Sequence, residues 1–144
     1  MTRIDFYVLS NNDLMDRLQL ICKLSEKAIG QAQKVFIHSD SEEELNQLDH
    51  TLWDFRPISF VPHKLLPRGY VTSILDNEAV HLSCGEPGAD RTLLINLANE
   101  VPTFFSRFER TLEIINDESR IKASGRLRYR YYQQRGYPLH HHKM

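Results

Sequence analysis

Short apolar runs of β-rich residues alternate along this chain with stretches whose apolar positions recur at helical spacing. Ile4 to Leu9 (I-D-F-Y-V-L) predicts a buried first strand. Asn11 or Asn12 then offers an N-cap for a helix whose core stripe is Leu14, Leu18, Ile21 and Ala28. Lys34 to His38 predicts a second strand. Ser41 and Glu44 fit a capping box ahead of a helix with Leu45, Leu48 and Leu52 on one face, ending near Trp53 before Pro57. A third short strand is predicted over Ile58 to Val61 and an irregular loop from His63 to Asn77, marked by Pro67, Gly69 and Thr72. Val80–Leu82 and Thr92–Leu97 read as strands, Val101–Phe108 as a short helix, Arg110–Ile115 as a strand and Asp117–Arg135 as a last helix. Strands alternating with helices predict an α/β fold: a Rossmann-like, mostly parallel sheet with helices on both faces.

With 144 residues, one domain is expected over residues 1–144, with 139–144 as a flexible tail. The hydrophobic share of 41% suffices for a core. No signal peptide opens the chain, no apolar run approaches the ~20 residues needed to cross a bilayer, and Cys22 falls in a core pattern that suits a reducing compartment; a cytoplasmic location is expected.

Phosphate and catalytic motifs are missing. There is no G-x-x-x-x-G-K-[ST], and Ser10-Asn11-Asn12-Asp13 follows the first strand where a dinucleotide fold places glycines; the fold is therefore expected to lack a nucleotide-binding loop. Gly85 and Gly88 lie between two strands, so no helix N-terminus follows them. Neither G-x-S-x-G nor H-E-x-x-H occurs. Cys22 with His38 reads as a structural thiol beside an unrelated histidine. His140-His141-His142 on a terminal segment makes no preorganised metal site. Neither catalysis, a cofactor nor a metal is expected.

Charge changes the picture more than composition does. Residues 1–118 carry 11 Lys/Arg against 19 Asp/Glu, whereas residues 119–144 carry seven Lys/Arg and no acid. On the last helix, 100° per residue places Lys122, Arg126, Tyr129, Arg130 and Gln133 on one face. Ile121, Leu127 and Tyr131 are expected to pack on the sheet and Arg128 to reach its rim. Three cations around a tyrosine suit an anion carrying an aromatic group, and arginine takes a carboxylate in two hydrogen bonds. A solvated face is the bland alternative, although such faces mix signs. Single-stranded nucleic acid is the other candidate anion, opposed by the acidic remainder of the chain.

The opening Phe6-Tyr7-Val8-Leu9, the block Leu48-Asp49-x-x-Leu52-Trp53, the run Ser59-Phe60-Val61-Pro62-His63 and the helix Lys122-x-x-x-Arg126-x-x-Tyr129-Arg130-x-Tyr132 closed by Gly136-Tyr137 resemble the chi subunit family of bacterial DNA polymerase III holoenzyme. The resemblance implies a non-catalytic replication adaptor. Its partners would be the psi subunit of the clamp loader, the acidic C-terminal tail of single-stranded DNA-binding protein and, in some relatives, a helicase-like repair protein. It carries the tail-binding surface to Lys122, Arg126, Tyr129 and Arg130, and the psi-binding surface to Trp53, Phe60, Val61 and Pro62. The alternative is a direct single-stranded nucleic-acid-binding domain using the same basic helix.

Overall fold

The computed structural model describes residues 1–54 and 61–144. Among these, the strands are β1 (Arg3–Val8), β2 (Val35–His38), β3 (His63–Leu65), β4 (Val80–Ser83), β5 (Leu93–Asn96), β6 (Arg110–Ile115) and β7 (Leu139–Lys143). The helices are α1 (Leu14–Gly30), α2 (Glu42–Asp54) and α3 (Ser119–Gln134). The strands make one sheet in the order β3-β4-β2-β5-β6-β1-β7, and every pairing is parallel. Parallel sheets need cover on both faces, and this one has it. Val35, Ile37, Leu82, Ile95, Leu112 and Ile114 meet the apolar stripes of α1 and α2 on one face. Ile4, Phe6, Phe36 and Leu94 meet α3 and the aromatic segment Phe104, Phe105 and Phe108 on the other.

Local chemistry explains most boundaries. Asp13, rather than Asn11 or Asn12, caps α1 through its carboxylate and the Met15 amide at 2.8 Å. At α2, the Glu44 amide donates to Ser41 Oγ at 3.1 Å. Glu44 does not complete the box, because its carboxylate is taken by Ser39 at 2.6 Å and by buried Arg17 at 2.8 Å, which ties α2 to α1. The helix expected over Val101–Phe108 shrinks to one 3₁₀ turn, Phe105–Arg107. Its phenylalanines face the sheet instead of following a helical stripe.

Two edges of the sheet depart from expectation. Ile58 to Phe60, most of the expected third strand, lies outside the described residues. The edge strand that is described begins at His63, inside the expected loop, and pairs with β4. The loop beyond it is organised around buried Asp76, which accepts from the Ser73 amide at 2.8 Å, the Tyr70 hydroxyl at 3.1 Å and Lys64 at 2.9 Å. At the other edge, the segment expected as a flexible tail is β7. Its register sets Ile4 against Leu139, Phe6 against His141 and Tyr7 against His142. His142 fixes it: the imidazole stacks on Tyr7 with centroids 4.4 Å apart and lies 2.8 Å from the Asp5 carboxylate. Asp5 is fully buried and also accepts from Arg3 at 3.1 Å and Arg110 at 2.7 Å. One carboxylate thus joins β1, β6 and β7.

Candidate functional site

Helix α3 owes its position to a buried charge in β6. Glu113 is fully buried and accepts from Arg128 Nε at 2.9 Å, Tyr132 Oη at 2.8 Å and Asn96 Nδ2 at 3.0 Å. Burying a carboxylate requires such partners, so the inward stripe of α3 is Gly125, Arg128 and Tyr132. The expectation of a packed Leu127 and a rim-seeking Arg128 is therefore corrected: Leu127 is 65% exposed and Arg128 only 5%. Gly125 lets the helix approach, since a Cβ there would lie 2.6 Å from Ile115 Cδ1. Glu118 caps the start by accepting from the Ile121 amide at 3.0 Å, and Gly136 ends the helix with φ +76°.

With that stripe facing the sheet, Lys122, Arg126, Tyr129 and Arg130 turn outward together on the side nearest β7. Arg126 and Arg130 are exposed and form no hydrogen bond or ion pair among the described residues. Lys122 touches Asp117 at 3.0 Å, a half-exposed pair that yields readily to a competing anion. Tyr129 is half-buried, set edge-on against Phe6 at 5.3 Å and tilted against His141 at 5.1 Å. It is an aromatic wall packed on the core, among exposed cations. Sequence reading missed that β7 adds His141 and Lys143 to this surface. The available signal was the absence of acid through residue 143, together with the alternation that puts residues 139, 141 and 143 on the α3 side.

The second predicted cluster is less unified. Trp53 ends α2 with 58% of its surface exposed, edge-on to His63 at 4.9 Å. Pro62, next in the chain to His63, is exposed. Val61 is 2% exposed and belongs to the core under α1 and α2, so its side chain offers nothing to a partner's surface. Phe60 lies outside the described residues.

The remaining candidates do not assemble a reactive centre. Cys22 and His38 sit on opposite faces of the sheet. Burial pushes the Cys22 thiol up to about 12, while the ring of His38 lies 3.1 Å from the Ser83 carbonyl. Alternation along β7 splits His140 and His142 from His141, and no cluster of metal-ligating side chains occurs among the described residues. A crevice of about 710 Å³ lies over the carboxyl ends of β2, β4 and β5, where α/β proteins commonly hold ligands. Its charged lining is Arg68 against Asp40, Glu86 and Glu100, while burial lowers the pKa of His38 and favours its neutral ring. The helix that follows β2 carries Glu42, Glu43 and Glu44 in its first turn, which disfavours a phosphate at its N-terminus. No helix among the described residues is long and apolar enough to cross a membrane.

The family model for DNA polymerase III chi subunit, HolC, matches residues 1–140. A DNA polymerase III subunit chi from Pseudomonas aeruginosa is 42% identical over 146 residues, covering 100% of this chain and 98% of the relative. Those from Haemophilus influenzae and Escherichia coli are each 28% identical, covering 93% and 96% of this chain and 92% and 96% of the relatives. The match runs over nearly the whole chain, and the chain belongs to the family of DNA polymerase III chi subunits, components of the replication machinery.

Proposed function

We propose that this chain is a non-catalytic replication adaptor whose α3 surface holds the acidic C-terminal tail of single-stranded DNA-binding protein, while the Trp53 end of α2 faces psi and so the clamp loader. The observation that carries the reading is the outward row Lys122, Arg126, Tyr129, Arg130, in which both arginines are unengaged among the described residues and the tyrosine is held in place by Phe6. A planar guanidinium can grip a terminal carboxylate in two bonds while an aromatic residue of the tail packs against Tyr129. On the other surface, Trp53 with Pro62 supplies an exposed aromatic anchor.

The test is fluorescence anisotropy with a synthetic acidic peptide ending in phenylalanine and a free carboxylate. Arg126→Ala is expected to weaken binding roughly tenfold to hundredfold, the range for losing a charge-assisted contact of ~1.5–3 kcal/mol, with an unchanged melt. Amidating the terminal carboxylate should weaken binding further at constant salt. Equal affinity of wild type and Arg126→Ala would sink the assignment. Tight binding of a single-stranded oligonucleotide at physiological salt, with the peptide no better than a scrambled acidic control, would favour direct nucleic-acid binding by the same helix.

A further inference from the structure

Strand β7 is the last in the sheet, and its outer side is open among the described residues. The Ile4 amide donates to the Pro138 carbonyl and the Met144 amide donates to the Val8 carbonyl, both at 3.0 Å. Hydrogen bonds in a parallel ladder are evenly spaced, so residues 138, 140, 142 and 144 turn their backbone groups toward β1. The N–H and C=O groups of Leu139, His141 and Lys143 therefore point away from the sheet. Their side chains lie on the α3 face, as the contacts of His141 with Phe6 and Tyr129 show.

We propose that the acidic tail binds as an eighth strand along β7, its backbone bonded to the outward amides and carbonyls of His141 and Lys143 while its terminal residues reach Arg126 and Tyr129. This rests on the proposed tail binding and specifies how the tail lies. Charge selects the occupant. His141 and Lys143 flank the edge on the α3 side, and His140 flanks it on the other. The Asp5 carboxylate beneath is fully buried and already engaged by Arg3, Arg110 and His142. A strand acidic on both faces fits between these rows. A second copy of β7 would bring a second Lys143 to the same edge, and an edge lysine discourages self-pairing. An extended peptide added to a sheet edge draws its affinity from the main chain, which suits a ligand with few apolar side chains.

The decisive experiment is a backbone N-methyl scan of an eight-residue peptide of aspartates ending in phenylalanine, titrated into wild-type protein. An added strand turns alternate amides toward β7, so methylation at every second residue should weaken binding about twofold to twelvefold, from a net hydrogen-bond worth of ~0.5–1.5 kcal/mol, and the intervening positions should change it less, giving an alternating pattern along the peptide. His141→Pro, which removes an outward N–H and spares the ladder to β1, should bind worse than His141→Ala. A flat scan, with Arg126→Ala still defective, would overturn strand addition and keep the α3 site. Absence of any peptide binding would overturn both. Concentration-dependent dimerisation lost in His141→Pro would give the edge to a second copy and equally refute the proposal.

Discussion

Replacing Arg128 by methionine tests the claim that α3 is seated by a buried charge pair rather than by an apolar stripe. Methionine keeps the packing of the arginine stem and has a similar helix propensity, so neither effect should dominate. What changes is the environment of Glu113, left fully buried with only Tyr132 and Asn96 as neutral donors. Breaking one side of such a pair costs about 3–5 kcal/mol, and the bonds from Arg128 to the Asn99 carbonyl and Ser124 hydroxyl vanish with it. A domain of this size holds ~5–15 kcal/mol in total, so the variant should fold but lose much of its reserve. In urea, with a slope of ~1–3 kcal/mol/M, the midpoint should fall by roughly 2 M. The companion Glu113→Gln with Arg128→Met removes the stranded charge and keeps acceptors for Tyr132 and Asn96. It should recover the cost of the stranded charge and stay below wild type by ~1–3 kcal/mol, for the unpaired amide N–H and the lost bonds to Asn99 and Ser124. A single variant losing less than about 1 kcal/mol, or a double variant paying the sum of two single losses, would refute the reasoning.

Three further outcomes follow from other sites. Burial pushes the Asp5 carboxyl up, but hydrogen bonds from Arg110, His142 and Arg3 outweigh it and hold the group at about 2 against 3.8; its contribution of about 2 kcal/mol should be complete above pH ~4 and lost as pH falls toward 2, a slope absent in Asp5→Asn and readable from chemical denaturation across that window. Gly125→Ala gains about 1 kcal/mol of helix propensity, yet its Cβ would meet Ile115 at 2.6 Å; the overlap should prevail, with a net loss of about 1 kcal/mol in the thermal or urea melt. Cys22, fully buried and with its thiol pushed up to about 12, should resist iodoacetamide at pH 8 in the folded chain and react once urea unfolds it.

The strands with apolar runs were legible because burial on both faces of a parallel sheet leaves an unmistakable hydrophobic mark; β6 begins and ends where Arg110 and Ile115 placed it. Strand β7 was not legible. Leu139 is its one aliphatic residue, and it is held by His142 against Asp5 and Tyr7, contacts between residues more than a hundred positions apart. The outward row of α3 was readable from 100° spacing, whereas its inward row was not. Hydrophobicity nominated Leu127, but the sheet offered a carboxylate, and only a cation could meet it. The sign of this was the glutamate inside T-L-E-I-I, an acid in an otherwise apolar strand. Trp53 and Val61 lie close in the chain and part ways in space, one exposed and one in the core, because residues on either side of a helix end need not share an environment.

The position of β1 also sets a timetable for synthesis. The first strand made finds its two neighbours in β6 and β7, so it pairs with residues 110–115 on one side and 139–143 on the other. A nascent chain that has emerged only through β5 holds Ile4, Phe6 and Tyr7 with both sheet edges open, and α1 and β2 dock on an incomplete layer. Such long sequence separations slow folding, and open apolar edges invite association while they last. The surface formed by Tyr129 and His141 comes into being last, after release of nearly the whole chain. Chains that stall before α3 therefore carry the acidic body of residues 1–118 without the basic edge.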